Sequence, residues 1–171
     1  MNLFELLNKL SVKAGATLAG LYIVSQVSIG MLLGHKVGAE LIPMQLAFTK
    51  TRFDAIVTSW TSENLEQFQH HFYLDFIHPA WYGLTLAWAL ARTVPDTRKT
   101  LVWLPVIAAA CDMCENSIHA IAAFTGTFKE LDQPWIWMSS TFASTKWLLA
   151  LGSAVLVVTF FILGRGQKPT R

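Results

Sequence analysis

The sequence predicts an all-α integral membrane protein, a four-helix bundle with an additional amphipathic interfacial helix between spans 1 and 2. Three observations predict it. Of 171 residues, 53% are hydrophobic and only 14% charged, whereas a soluble domain carries about 25% charged residues. Long stretches free of acidic and basic side chains match the roughly 20 residues a helix needs to cross about 30 Å of hydrocarbon. Seven Trp and eleven Phe suit a surface that faces lipid and ends at two interfaces.

Taken in order, Leu3, Phe4, Leu6, Leu7 and Leu10 form a short amphipathic stretch on the inner side. Lys9 and Lys13 precede an apolar run as in a signal peptide, but the run is too long and no small-residue cleavage site closes it, so it reads as a retained anchor. Span 1 covers about residues 14–34, with no acidic or basic residue. Residues 36–71 form the one long connection, on the outer side. Within it Leu46, Phe48, Phe53, Ile56, Val57 and Trp60 recur at helical spacing beside Thr, Lys, Arg and Asp, the pattern of an amphipathic helix on the membrane or capping the bundle. Spans 2 and 3, about 72–93 and 100–124, are antiparallel neighbours across the short turn signal Val94-Pro95-Asp96-Thr97-Arg98-Lys99. Span 4, about 137–164, ends uncharged. The whole chain, 1–171, reads as one transmembrane domain.

Basic residues set orientation, because Lys and Arg are retained on the cytoplasmic side. With the N-terminus inside, Lys9, Lys13, Arg92, Arg98, Lys99, Arg165, Lys168 and Arg171 are cytoplasmic, against Lys36, Lys50, Arg52 and Lys129 outside. Both termini are therefore expected in the cytoplasm. A net charge of +2 and no basic stripe interleaved with aromatics exclude nucleic acid as a partner.

Against this apolar background the ionisable residues form a pattern. Asp75, His78 and Tyr82 fall at i, i+3, i+7, and Asp112, Glu115, Asn116 and His119 at i, i+3, i+4, i+7, so each set shares one helical face. At about 1.5 Å per residue, Asp75 and His78 lie roughly 5–9 Å from the outer end of span 2 and Tyr82 about 15 Å. Counted from the outer end of span 3, His119 lies at about 7 Å, Glu115 at about 13 Å and Asp112 at about 18 Å. Lys146, on span 4, falls at about 14 Å. An unpaired charge at mid-bilayer costs about 2.5–3.5 kcal/mol, so groups at a common level are expected to pair. Lys146 is expected to neutralise Glu115 or Asp112, His78 and His119 to share protons with the other carboxylates, and Tyr82 to close the network. The pocket is expected to open outward beneath residues 36–71, with His70 and His71 at its mouth.

Apolar walls around a few convergent polar groups are what a ligand site requires. Asp112, Glu115 and His119 are the candidate acid/base groups, and Asp75, His78, Tyr82, Asn116 and Lys146 the candidate ligand-binding groups. The expected ligand is a membrane lipid or small amphipathic molecule. No cofactor is favoured; a metal, if one is used, would take Asp75, His78, Glu115 and His119, whose spacings present carboxylate and imidazole together. Ser117 lies off the polar face, which argues against a serine triad. Cys111-x-x-Cys114 supplies a rival reading, a membrane thiol/disulfide oxidoreductase, although such enzymes relay electrons through a second cysteine pair that this chain lacks. A structural or accessory subunit, as a homo-oligomer or in a membrane complex, would instead pack through Gly152, Ser153 and Ala154. Proton translocation fits less well, since the acids reach only halfway across.

The run Tyr73-Leu74-Asp75-Phe76 with Pro79 and Tyr82, followed one span later by Asp112-x-x-Glu115-Asn116, resembles small four-helix bacterial membrane proteins with Asp…Tyr and Asp-x-x-Glu-Asn signatures. Residues 44–60 fit the amphipathic segment such proteins place after the first span. The likeness covers about the middle half of the chain. It implies the architecture, a bacterial inner membrane location and a role for Asp75, Tyr82, Asp112, Glu115 and Asn116, and it brings no activity. The cysteines are not part of that pattern.

Overall fold

The structure, a computed structural model, describes residues 1–166, apart from the last three side chains; Lys168 and Arg171, counted above for orientation, lie outside the described residues, as does the side chain of Arg165. Its helices are α1 (Leu3–Lys9), α2 (Val12–Gln45), α3 (Lys50–Val57), α4 (Ser62–Asp75), α5 (His78–Thr93), α6 (Trp103–Phe124) and α7 (Gln133–Gly166), with 3-10 turns at Asp96–Val102 and Phe128–Glu130. There is no strand among the described residues.

Local chemistry explains where the helices begin. Asn2 caps α1 in a reciprocal box with Glu5, and the side chains of Ser11, Thr49 and Thr61 each accept from a backbone N–H in the first turn of α2, α3 and α4. α2 runs well past the expected end of span 1. It bends at Gly34, whose φ of +63° is open to glycine and costly for other residues.

Three helical stretches are long and apolar enough to cross a membrane: Val12–Gln45, Asp96–Phe124 and Gln133–Leu163. Their outward faces carry apolar side chains such as Val24, Val27 and Met31 on α2 and Leu148, Val155 and Ile162 on α7, all exposed. The expected span 2 is not one helix. α4 ends at Asp75, α5 begins at His78, and Pro79 sits in the first turn of α5, where a missing N–H costs nothing. Nor are residues 36–71 a connection holding a single amphipathic helix: the end of α2, all of α3 and most of α4 occupy them.

α6 packs against α5 and α7, and α2 against α4 and α5, while α2 and α7 scarcely touch. Two apolar cores result. At the end covered by α3, here the cap end, Phe53, Val57, Trp60, Phe68, Phe72 and Phe128 are buried together with Leu33, Val37 and Met44 of α2. At the opposite end Phe4 and Leu7 of α1 close over Ala87, Leu90, Val94 and Val102. Between the two cores lies the polar cluster.

Candidate functional site

Lys146 of α7 is the hub. Its ammonium lies 2.7 Å from Asp112 Oδ1 and 2.6 Å from Glu115 Oε2, and all three side chains are at most 8% exposed. It therefore meets both α6 carboxylates. The contact with Asp112 is a hydrogen bond; that with Glu115 is ionic, off hydrogen-bond alignment. His119, one turn along α6, places Nδ1 3.8 Å from Glu115 Oε1, too far for a hydrogen bond, and its buried Nε2 has no partner among the described residues. Phe68 and Phe128 wall this imidazole off from the cap side.

Asp75 stands at the last residue of α4, where the negative end of the helix disfavours a carboxylate, rather than in the first turn of a span. His71 offsets this from one turn back, with Nε2 3.5 Å from Asp75 Oδ2. The other nitrogen of His71, Nδ1, bonds the Phe68 carbonyl. A carbonyl only accepts, so Nδ1 carries a hydrogen and Nε2 is the nitrogen that faces the carboxylate. Asn116 donates to the Asp75 backbone carbonyl at 3.0 Å, satisfying a group that the break between α4 and α5 sets free.

His78 goes elsewhere than expected. Its Nδ1 lies 2.8 Å from Ser25 Oγ on α2, and that hydroxyl also bonds the Tyr22 carbonyl at 2.9 Å. A hydroxyl has one hydrogen. Both bonds are satisfied together when Ser25 donates to the carbonyl and accepts from His78 Nδ1–H, leaving His78 Nε2 as an acceptor. Tyr22 and Tyr82 flank the imidazole, with ring centroids 5.5 and 5.6 Å away. The Tyr82 hydroxyl and the Thr85 hydroxyl one turn on are buried with no hydrogen-bond partner among the described residues.

Between α2 and α7 these groups face a slot of about 410 Å³. Asp75, His78, Tyr82, Asp112 and Lys146 form its polar side, and Ile29, Leu33, Leu41, Leu86, Leu151 and Ala154 much of its apolar wall. Glu115, Asn116 and His119 stand behind the lining rather than in it. His70 and His71 are not at its mouth: His70 is on the surface and His71 is buried against Asp75.

The chain matches no protein-family model, no curated protein and no solved structure. The site is therefore read from its own atoms.

Of the four residues considered as metal ligands, Asp75 faces His71, His78 bonds Ser25, and Glu115 meets Lys146 with His119 Nδ1 3.8 Å from its other oxygen. Among the described residues no three of His, Cys, Asp and Glu converge as a metal would need. Cys111 is half-buried and Cys114 exposed, both are free thiols, and neither lines the slot. The Ser117 hydroxyl bonds back to the Met113 carbonyl. A Cβ added at Gly152 would meet nothing within 4 Å, Ser153 is fully buried with its hydroxyl on the Leu149 carbonyl, and Ala154 lines the slot. Sequence reasoning missed Ser25, Tyr22, Gln26, Gln45 and Thr85. The first four sit on α2, which looked like a plain anchor; Ser25 and Gln26, polar residues inside an apolar span, were the available signal.

Proposed function

We propose that the chain is an integral membrane protein, in a bacterial inner membrane with both termini cytoplasmic, that binds a small amphipathic or lipid-like molecule in the slot between α2 and α7. The observation that carries this reading is a cavity with apolar walls meeting a buried Lys146–Asp112 ion pair. Its volume falls within the roughly 300–1,000 Å³ of ligand pockets. Four segments cross in this reading, the second being α4's last turn continued by α5. A broken helix is tolerated at membrane depth only where protein re-satisfies its backbone, and the Asn116 bond to the Asp75 carbonyl supports that placement. The polar cluster then lies in the outer half, beneath the cap.

The slot's side chains can also move a proton. Asp112 and the free Nε2 of His78 are the groups placed to give or take one from a ligand. Glu115 acts behind them, holding the Lys146 ammonium from the protein side, with His119 beside it.

Two measurements test the reading. Native mass spectrometry of the detergent-purified full chain is expected to retain a small amphiphile after exposure to a bacterial lipid extract, with occupancy lowered by Tyr82→Phe. A chain that elutes folded and takes up nothing from that extract overturns the binding role. Single cysteines replacing Arg52 and Arg98, in a background with Cys111→Ala and Cys114→Ala, are expected to react with an impermeant maleimide from opposite sides of the membrane. Reaction from one side only overturns the topology.

A further inference from the structure

At the cap end the last residue of α2 and the loop that follows it are tied to α7. Phe48 N–H donates to Ser140 Oγ at 3.1 Å, Gln133 Nε2 donates to the Phe48 carbonyl at 2.8 Å, and Trp147 Nε1–H reaches Gln45 Oε1 at 3.4 Å. Below that lintel the two helices part, and the slot lies in the gap. Its rims are residues that face outward from the bundle: Gly30 and Ile42 on α2, and Leu151, 60% exposed, on α7. A Cβ added at Gly30 would meet nothing within 4 Å. The opening therefore points sideways, through the apolar girdle, and the route from the capped end is closed.

The polar side of the slot says what such a visitor carries. Its charges are already engaged inside the protein, Asp112 by Lys146 and Asp75 by His71. Among the described residues, the groups that make no aligned hydrogen bond are neutral: the hydroxyls of Tyr82, which interacts with the Asp112 carboxylate, and of Thr85, and His78 Nε2, which the Ser25 bond leaves as an acceptor. A ligand hydroxyl donates one hydrogen and accepts another, so it can bond His78 Nε2 and the Tyr82 O–H at once. A carboxylate head would lie against Asp75 and Asp112, and an ammonium head would compete with Lys146. The volume of about 410 Å³, near the low end for ligand pockets, suits one chain rather than the two of a phospholipid.

We infer that the slot is loaded laterally from the bilayer, between α2 and α7, by a single-chain lipid with an uncharged hydroxyl head. This rests on the reading of the slot as a ligand site and adds the route and the head chemistry.

The test uses the full chain in phosphatidylcholine vesicles and, as probe, hexadecanol carrying a mid-chain diazirine, with labelled residues mapped by mass spectrometry. Saturable labelling is expected on α2 and α7 around Gly30, Leu33, Leu151 and Ala154. Plain hexadecanol is expected to compete better than hexadecylamine or hexadecanoate. Gly30→Phe, which fills the opening from the α2 side, is expected to lower labelling about ten-fold, equivalent to about 1.4 kcal/mol; Ala154→Phe fills it from the α7 side should the first variant fail to fold. Tyr82→Phe is expected to weaken competition by about 2- to 10-fold, the worth of one net hydrogen bond. Saturable labelling that survives both plugs overturns the lateral route while binding stands. Stronger competition by the amine or the carboxylate overturns the head assignment. Absence of saturable labelling with every probe overturns this inference and the ligand-binding role together.

Discussion

The two sides of the polar cluster are built on opposite rules. Toward the cap, side chains are packed ring against ring: Trp60 stacks on Phe128 at 5.9 Å, Phe68 meets Phe128 at 4.6 Å, and Phe53 meets Phe128 edge-on at 5.3 Å. Polar groups there are tied down as well, with Lys129 Nζ on the Trp60 carbonyl at 2.7 Å, Trp60 Nε1 on Glu40 at 2.7 Å and Gln69 Nε2 on the Ala123 carbonyl at 2.6 Å. Toward α2 and α7 the same cluster meets open space, and the buried Tyr82 and Thr85 hydroxyls lack hydrogen-bond partners among the described residues. Buried polar atoms are rarely left unsatisfied in a finished core. The sealed side thus reads as a scaffold of packed rings, within which His119 Nε2 and the Glu115 carboxylate still make no hydrogen bond among the described residues, and the open side, where those two hydroxyls face a cavity, as the working face.

The largest expected effect lies on the boundary between them. Lys146→Met leaves the Asp112 and Glu115 carboxylates buried with no cation, and breaking a buried pair from one side costs about 3–5 kcal/mol. Thermal unfolding in detergent should show this loss, and the triple change Lys146→Met, Asp112→Asn, Glu115→Gln should recover much of it by removing the stranded charges. Full stability of the single variant would mean that the cluster is wet rather than dry. Next in size, Phe68→Ala on the sealed side should cost about 3–5 kcal/mol as a cavity in a packed core, whereas Leu151→Ala on the open side should change stability by about 0.5 kcal/mol or less, as for exposed positions. Equal losses at the two sites would erase the contrast. Trp60→Phe removes the bond to Glu40, which should cost about 1.5–3 kcal/mol, the range for a hydrogen bond to a charged group, and adds the cost of the cavity left by the smaller ring in the core.

The helices and the depth of the polar groups were legible in the sequence, but this division was not: the pocket was expected to open beneath residues 36–71, and the slot lies between α2 and α7. The helical content follows from period and length. Gly34, the end of the expected first span, is where α2 bends. Asp112, Glu115 and Lys146 could be matched by depth alone, because rise per residue is fixed and a charge in an apolar span needs a partner. Pairing by rotation about the helix axis was beyond that argument. His71 and Asp75 are neighbours at i, i+4 on α4, yet the expected span boundary at residue 72 divided them. His78 found Ser25 across 53 residues of chain, a contact no local pattern encodes. The break before His78 was signalled only by Pro79, a residue suited to a helix's first turn, because the apolar run Phe76–Ile77 carries no turn residue. The slot itself is a gap between two helices, and periodicity reports faces that pack, not helices that part.

A last pair of modest effects separates the two sides most cleanly, because one chemical change is made twice. Gly83 of α5 lies against α6: a Cβ there would come 2.9 Å from Ala109 Cβ and 3.2 Å from the Pro105 carbonyl oxygen. Backbone cannot yield cheaply, so Gly83→Ala should force α5 and α6 apart and cost about 1–3 kcal/mol, as overpacking does. Gly30 sits in a helix interior with nothing near its added methyl. There the substitution keeps only its benefit to helix propensity, and Gly30→Ala should raise stability by up to about 1 kcal/mol. Opposite signs for the two alanines, read as shifts in melting temperature of the same purified protein, are what a closed α5–α6 seam beside an open α2–α7 gap demands; a loss at Gly30 as large as that at Gly83 would mean that the gap is filled by another packed surface.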